Sequence, residues 1–175
     1  RVGPLVANEV SGFFGKALIR KGGNWLLLEA EGNQRTIDLH NNSTAIGYPL
    51  STLDVPSIAA FTNARNIRFD FVVGESIGTS KGLEASHELY ISIYGTLLSG
   101  EKRKFNMIVS GPKGNSNLTA VGVYLITEKI LGLNGQSEQK VGGLYLPETI
   151  ISTHHISKRL KEFGIEIIEE TLESL

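Results

Sequence analysis

The sequence predicts an α+β fold, a broad mixed and largely antiparallel sheet with helices packed on one face, and three observations carry that prediction. The first is the alternation from Leu89 to Thr96, with Leu89, Ile91, Ile93 and Gly95 on one side and Tyr90, Ser92, Tyr94 and Thr96 on the other. The second is the β-rich run from Phe105 to Ser110, set off by the turn residues Ser99-Gly100-Glu101, so that the two runs pair as a long antiparallel hairpin. The third follows Gly111-Pro112-Lys113-Gly114, where Leu118, Val121, Tyr124, Leu125 and Leu131 recur at helical spacing and Asn115, Ser116 or Asn117 can cap the helix. Glu128 falls on the same face, an ionisable group inside an apolar stripe.

A chain of 175 residues is long enough for one well-buried core and short for two, so a single domain over residues 1–175 is expected. The balance of 17 basic against 18 acidic residues provides no field to draw nucleic acid or an anionic membrane surface, and neither is an expected partner. Cysteine is absent, which excludes disulfide and thiolate chemistry and fits a reducing, cytoplasmic setting. No apolar run reaches the roughly 20 residues of a spanning helix, and no secretion signal stands at the start. The chain begins at Arg1 and Met107 is its one methionine, so a fragment of a longer protein is expected.

In chain order, 8–21 reads as a first helix, with Val10, Phe13, Phe14, Ala17 and Leu18 as its stripe and Gly22-Gly23 ending it. Gly12 and Gly15 each cost such a helix about 1 kcal/mol against Ala, which implies close approach of a neighbouring backbone or, less plainly, of a ligand. Trp25 to Ala30 and Arg35 to Leu39 flank Glu31-Gly32-Asn33 as a hairpin. Asn41 to Ser51 reads as irregular, since Tyr48-Pro49 disfavours helix. Thr52 or Asp54 can cap a short helix with Pro56 in its first turn, Ile58, Ala59 and Phe61 facing inward, and Asn63 to Arg65 closing it. Asn66 to Val73 alternates as a strand, and Gly74 to Gly82, rich in glycine and hydroxyl residues, reads as a loop. Beyond the central hairpin and helix come a polar connector from Asn134 to Lys140 and a short buried strand from Gly143 to Leu146. A helix then runs from Pro147 to Lys161, stopped by Gly164, and Ile165 to Ile168 forms a last strand.

Several constellations bear on chemistry. Gly74-Glu75-Ser76-Ile77-Gly78 matches the nucleophile-elbow pattern, with His154 and His155 downstream. That pattern needs a helix directly after the serine and a parallel sheet beneath it, and neither is read here, so a Gly/Ser loop is the plainer reading and a hydrolase using Ser76 an alternative. Neighbouring histidines on a helix point about 100° apart and do not converge on an ion, and His40 and His87 lack ligand spacing, so no metal site is expected. Lys102-Arg103-Lys104 beside the hairpin turn reads as a solvated face. Neither G-x-G-x-x-G nor a Walker-type G-K-[ST] occurs, so no glycine turn for nucleotide phosphates is present.

Two stretches carry a family resemblance. Gly142-Gly143-Leu144-Tyr145-Leu146-Pro147-Glu148, followed by Leu160-Lys161-Glu162-Phe163-Gly164-Ile165-Glu166-Ile167, is similar to the closing pattern of the saccharopine dehydrogenase-like (saccharopine reductase-like) oxidoreductases. Upstream, Ser11-Gly12 with Gly15, the Trp25 to Leu39 region and Tyr48 to Val73 resemble the middle of that family. The resemblance implies the C-terminal substrate and oligomerisation domain, similar to that of glyceraldehyde-3-phosphate dehydrogenase-like proteins. In the full-length protein it is joined to a Rossmann domain that holds NAD(P). It further implies hydride transfer on a small amino-acid-like or keto-acid substrate, a homodimer through the sheet, and an isolated domain that binds no cofactor and is inactive. The cleft would be lined by Ser11, Gly12, Gly15 and Lys16 and by the Gly111 to Asn115 turn, whose Lys113, like Lys16, offers a cation to a substrate carboxylate. Phe13-Phe14 interrupt the family's serine-glycine segment, a departure from the pattern. The alternative is a non-enzymatic module that uses the sheet for self-association.

Overall fold

The computed structural model describes residues 15–174, with backbone alone at 41 and 169–174. The chain divides into two compact units, Arg1–Gly74 and Glu75–Leu175.

Alternation, not helical spacing, governs the start of the first unit. Lys16–Lys21 is a strand, β1, that buries Ala17 and Ile19 and pairs antiparallel with β2, Asn24–Glu29. Gly22 and Gly23 adopt φ of +61° and +92°, the pair of positive values a two-residue hairpin loop of matching twist requires. The helix expected over 8–21 is therefore corrected from Lys16 onward, and its earlier part lies outside the described residues. A Gly-Gly pair stops a helix and turns a hairpin equally well, so the punctuation alone could not choose.

Three further strands form the second sheet of this unit, in the order β3 (Arg35–Asp38), β4 (Thr44–Pro49) and β5 (Asp70–Val72), all antiparallel. The hairpin expected between Trp25 and Leu39 is corrected, because β2 pairs with β1 and β3 with β4. Asn41 to Ser51, expected to be irregular, contains β4. Its inward residues are Gly47 and Pro49 while Thr44, Ile46 and Tyr48 face out, so small residues on the buried side hid the alternation. Gly47 is required: a Cβ there would lie 2.6 Å from Ile37 Cγ1.

The short helix forms as α1, Asp54–Phe61, against β1, but Leu53 stands at its cap without a side-chain bond. Val55 is its buried residue, while Ile58 and Phe61 are exposed. The strand expected from Asn66 to Val73 shortens to β5, and Ile67 instead bridges Arg20 through two backbone hydrogen bonds of 2.9 Å. The side chain of Asp70, placed on the polar side of that strand, is almost fully buried. Arg35 Nε donates to its Oδ2 at 2.8 Å and Arg68 Nη2 to its Oδ1 at 2.6 Å.

In the second unit the predicted hairpin and helix form as read. β6 (His87–Thr96) and β7 (Lys102–Gly111) pair with Leu89 opposite Val109 and Ile93 opposite Phe105, and β8 (Glu166–Ser174) adds to the far side of β7. Across the five pairings among the described residues every strand is antiparallel, in three separate sheets rather than one broad layer. Each strand pairs with a strand next to it in chain order, across tight turns for β1–β2 and β6–β7 and across helical connections for β4–β5 and β7–β8.

The long helix, Gly114–Leu131, follows a four-residue helix, Ile77–Ser80; these are α3 and α2 respectively. Two further helices, α4 (Pro147–Ile150) and α5 (Thr153–Glu162), complete the unit. α3 lies against β7, α5 against β8, and the two touch each other. Val121, Leu125 and Ile165 form the buried cluster, with Val109, Leu118 and Leu160 packed around it. At the end of β7, Gly111 lets α3 approach: a Cβ would meet Leu118 Cγ at 2.6 Å.

Four expectations here are corrected. The α3 cap is Lys113 without a side-chain bond, not Asn115, Ser116 or Asn117. Gly74 to Gly82 holds α2 rather than being wholly a loop. Gly143 to Leu146 is not a strand, and Leu144 is fully exposed. Finally, the helix from Pro147 breaks at Ile151-Ser152, where Ile151 is buried and the Ser152 hydroxyl accepts the His155 N–H at 3.3 Å, capping α5 afresh.

Candidate functional site

The residues nominated from sequence occupy different places. Ser11 and Gly12 lie outside the described residues. Gly15 takes φ of +119°, and its carbonyl accepts the Ala30 N–H at 2.7 Å, closing the β1–β2 ladder. Lys16 opens β1, where its Nζ lies 3.1 Å from Glu29 Oε1 directly across the hairpin. Both side chains are well exposed, so this pair contributes about 0–1 kcal/mol. Lys113 sits in the second unit, exposed in the tight turn between β7 and α3 and without an ion pair among the described residues.

Ser76 has a structural employment. Its hydroxyl accepts the Thr79 N–H at 3.2 Å and the Ser86 N–H at 3.1 Å, and Thr79 Oγ1 accepts the Ser76 N–H in return at 3.1 Å. This reciprocal capping box starts α2 and ties it to the approach to β6. The network continues: Ser86 Oγ accepts the Gly78 N–H at 2.7 Å and donates to Glu88, whose Oε1 also accepts from Ser110 Oγ at 3.0 Å. A Cβ at Gly78 would fall 2.0 Å from the Glu84 carbonyl oxygen, so only glycine permits this packing.

The strongest electrostatic feature was visible in sequence only as an anomaly. Glu128 is completely buried on the core face of α3. Arg159 of α5 donates to it through two nitrogens, Nη2 to Oε1 at 2.5 Å and Nε to Oε2 at 3.1 Å, and Asn134 Nδ2 donates to Oε1 at 2.5 Å. Burial opposes ionisation of Glu128. Hydrogen bonds from Arg159 and Asn134, the Arg159 charge and the Tyr124 hydroxyl outweigh it and hold the carboxyl below its ordinary range. Arg159 also pairs with Glu162, and its guanidinium lies over the Phe163 ring at 5.1 Å. This constellation fixes α3, the connector and α5 to one another; with every member engaged, it is a clamp.

The histidines separate. His154 is exposed, whereas His155 is mostly buried, with Nε2 3.7 Å from Glu128 Oε2. His87 is half-buried, and burial lowers its affinity for a proton against the opposing pull of Glu88. Among the described residues no group of three or more histidine and carboxylate side chains could hold a metal ion, and no helix is long and apolar enough to cross a membrane. In the basic triplet, Arg103 Nη2 meets Glu101 Oε1 at 2.7 Å and Lys104 lies over the Tyr94 ring at 5.9 Å.

Within the sheet expected to serve association, the β6–β7 hairpin carries exposed apolar side chains. Ile93 and Tyr94, on opposite faces of β6, and Leu97 and Leu98 in the turn after it are all exposed, Leu98 fully. The signal was present as a neutral, apolar run, LYISIYGTLL, in a strand already assigned. No protein-family model matches the chain, and no curated protein matches it.

Proposed function

We propose that this chain is the substrate-binding and dimerising domain of an NAD(P)-dependent, saccharopine dehydrogenase-like oxidoreductase. Its sheet and helices would correspond to the C-terminal domain of glyceraldehyde-3-phosphate dehydrogenase-like proteins. The observation that carries the dimerising role is the set of exposed apolar side chains Ile93, Tyr94, Leu97 and Leu98 along β6 and its turn. For the substrate role the support is Lys113, an exposed cation in a glycine-flanked turn at the head of an 18-residue helix, suited to a small carboxylate such as an amino or keto acid.

The dinucleotide does not fit the described residues. It needs a parallel strand feeding a glycine turn into a helix, and the strands here pair antiparallel. In this reading it is held by a Rossmann domain in the longer cytoplasmic protein, and no step of the reaction is assigned to the residues described. The same hairpin favours a second reading, a self-associating module without a substrate. Thermal melts of the chain against a panel of amino and keto acids separate the two. A ligand that raises Tm in the parent and not in Lys113→Ala supports the substrate domain, and a flat response across the panel favours the module.

A further inference from the structure

We propose that Asn134 is a site of spontaneous deamidation coupled to the Glu128–Arg159 clamp: the clamp shelters the amide, and conversion of that amide to a carboxylate loosens the clamp. Asn134 is the asparagine of this chain that precedes a glycine. Asparagine is thermally labile because the next main-chain nitrogen can attack its side-chain amide, and a following glycine puts no side chain in the way. Asn134 and Gly135 are the central residues of a tight turn, with φ of +50° and +79°, closed by the Gln136 N–H donating to the Leu133 carbonyl at 3.0 Å. Both residues are exposed, so water and base reach the attacking nitrogen. The Gly135 N–H has no hydrogen-bond partner among the described residues.

In the reaction the Gly135 nitrogen bonds to Asn134 Cγ and gives its proton to a solvent base. The Cγ–Nδ2 bond breaks, and the departing nitrogen takes a proton from water and leaves as ammonia. A second water opens the cyclic imide: opening at Cγ yields aspartate, and opening at the main-chain carbonyl yields isoaspartate, with the chain rerouted through Cβ. What the amide touches couples this chemistry to the fold. Nδ2, the nitrogen that leaves, donates to Glu128 Oε1 at 2.5 Å, so the amide is held against the carboxylate and the connector must open before Cγ turns to Gly135. After the reaction the donor is gone and a carboxylate stands in its place, opposite the completely buried Glu128. Two like charges at a desolvated position oppose each other and the packing that holds them there.

The full chain, incubated at mildly alkaline pH in buffer and in guanidinium chloride and followed by peptide mass mapping, tests both halves of the coupling. In denaturant Asn134 is expected to be the first asparagine to react, and in buffer to react roughly tenfold or more slowly. The double variant Glu128→Leu with Arg159→Met offers Nδ2 no carboxylate, so in buffer its Asn134 should react faster than that of the parent. Asn134→Asp, a residue that also tolerates the positive φ, should unfold at a lower urea concentration than the parent. Another asparagine reacting first in denaturant overturns the site. Equal rates in buffer and denaturant, or a double variant that is folded by circular dichroism and as slow as the parent, overturn the shelter. An Asn134→Asp midpoint equal to that of the parent overturns the loosening. Should the double variant misfold, the comparison of buffer with denaturant and the Asn134→Asp midpoint decide.

Discussion

Arg159 and Glu128 close a two-point ion pair between α5 and α3, with no part of the Glu128 side chain reaching solvent. Removing one member leaves the other desolvated without its counter-charge, whereas removing both replaces an ionic contact by an apolar one. Glu128→Gln and Arg159→Met are each expected to lower the urea midpoint clearly. The double variant Glu128→Leu with Arg159→Met should recover at least half of the loss. Additive losses would show that the two side chains act independently.

Acid should weaken the fold in two stages. The folded Glu128 carboxyl sits below its ordinary 4.5, so its contribution is fully present above that value and is lost as pH falls through the folded-state value. The folded His87 sits below 6.5, so the unfolded chain takes up its proton first and stability begins to fall as pH drops below 6.5. Stability measured from pH 8 to pH 3 is expected to decline from about pH 6.5. His87→Gln should remove the upper stage, and Glu128→Gln the lower one.

The contact of Gly111 with Leu118 sets the distance between β7 and α3. Gly111→Ala is expected to cost about 1–3 kcal/mol through overpacking. Leu118→Ala in the same chain should relieve part of that cost, because the obstructing atoms all belong to the Leu118 side chain. Chemical denaturation of the two single variants and the double reads the coupling directly.

Ser76→Ala separates a cap from a nucleophile. As a cap, Ser76 should cost about 1 kcal/mol when truncated, with Ser76→Asp milder, and ester turnover should be nil in parent and variant alike. Turnover in the parent that vanishes in Ser76→Ala, with stability unchanged, would restore the hydrolase reading.

The period-two run of β6, the β-rich run of β7 and the spacing of Val121 and Leu125 made the α+β class and the central hairpin-and-helix legible, because each is a local pattern with one geometric solution. Local signals failed where they carry two meanings. Gly22-Gly23 fits a helix stop in sequence and is a hairpin loop; β4 alternates with Gly47 and Pro49 as its buried members; Ser152 restarts a helix after the break that follows Pro147. Among the site residues, Lys16 and Lys113 could be nominated as cations by type. Lys16's ion pair with Glu29 depends on a strand register where the local spacing fits a helix.

By itself the sequence determined the class of the fold, the hairpin from His87 to Gly111 and the helix that follows it, since hydrophobic period and turn chemistry are properties of neighbours along the chain. Tertiary structure alone decided which strands share a sheet, that Glu128 is buried and answered by Arg159 across 31 positions, and that β6 is left as an outer edge among the described residues. The reason is physical: pairing partners and desolvation depend on which distant groups arrive in the same place, and a one-dimensional pattern of polarity does not contain that distance.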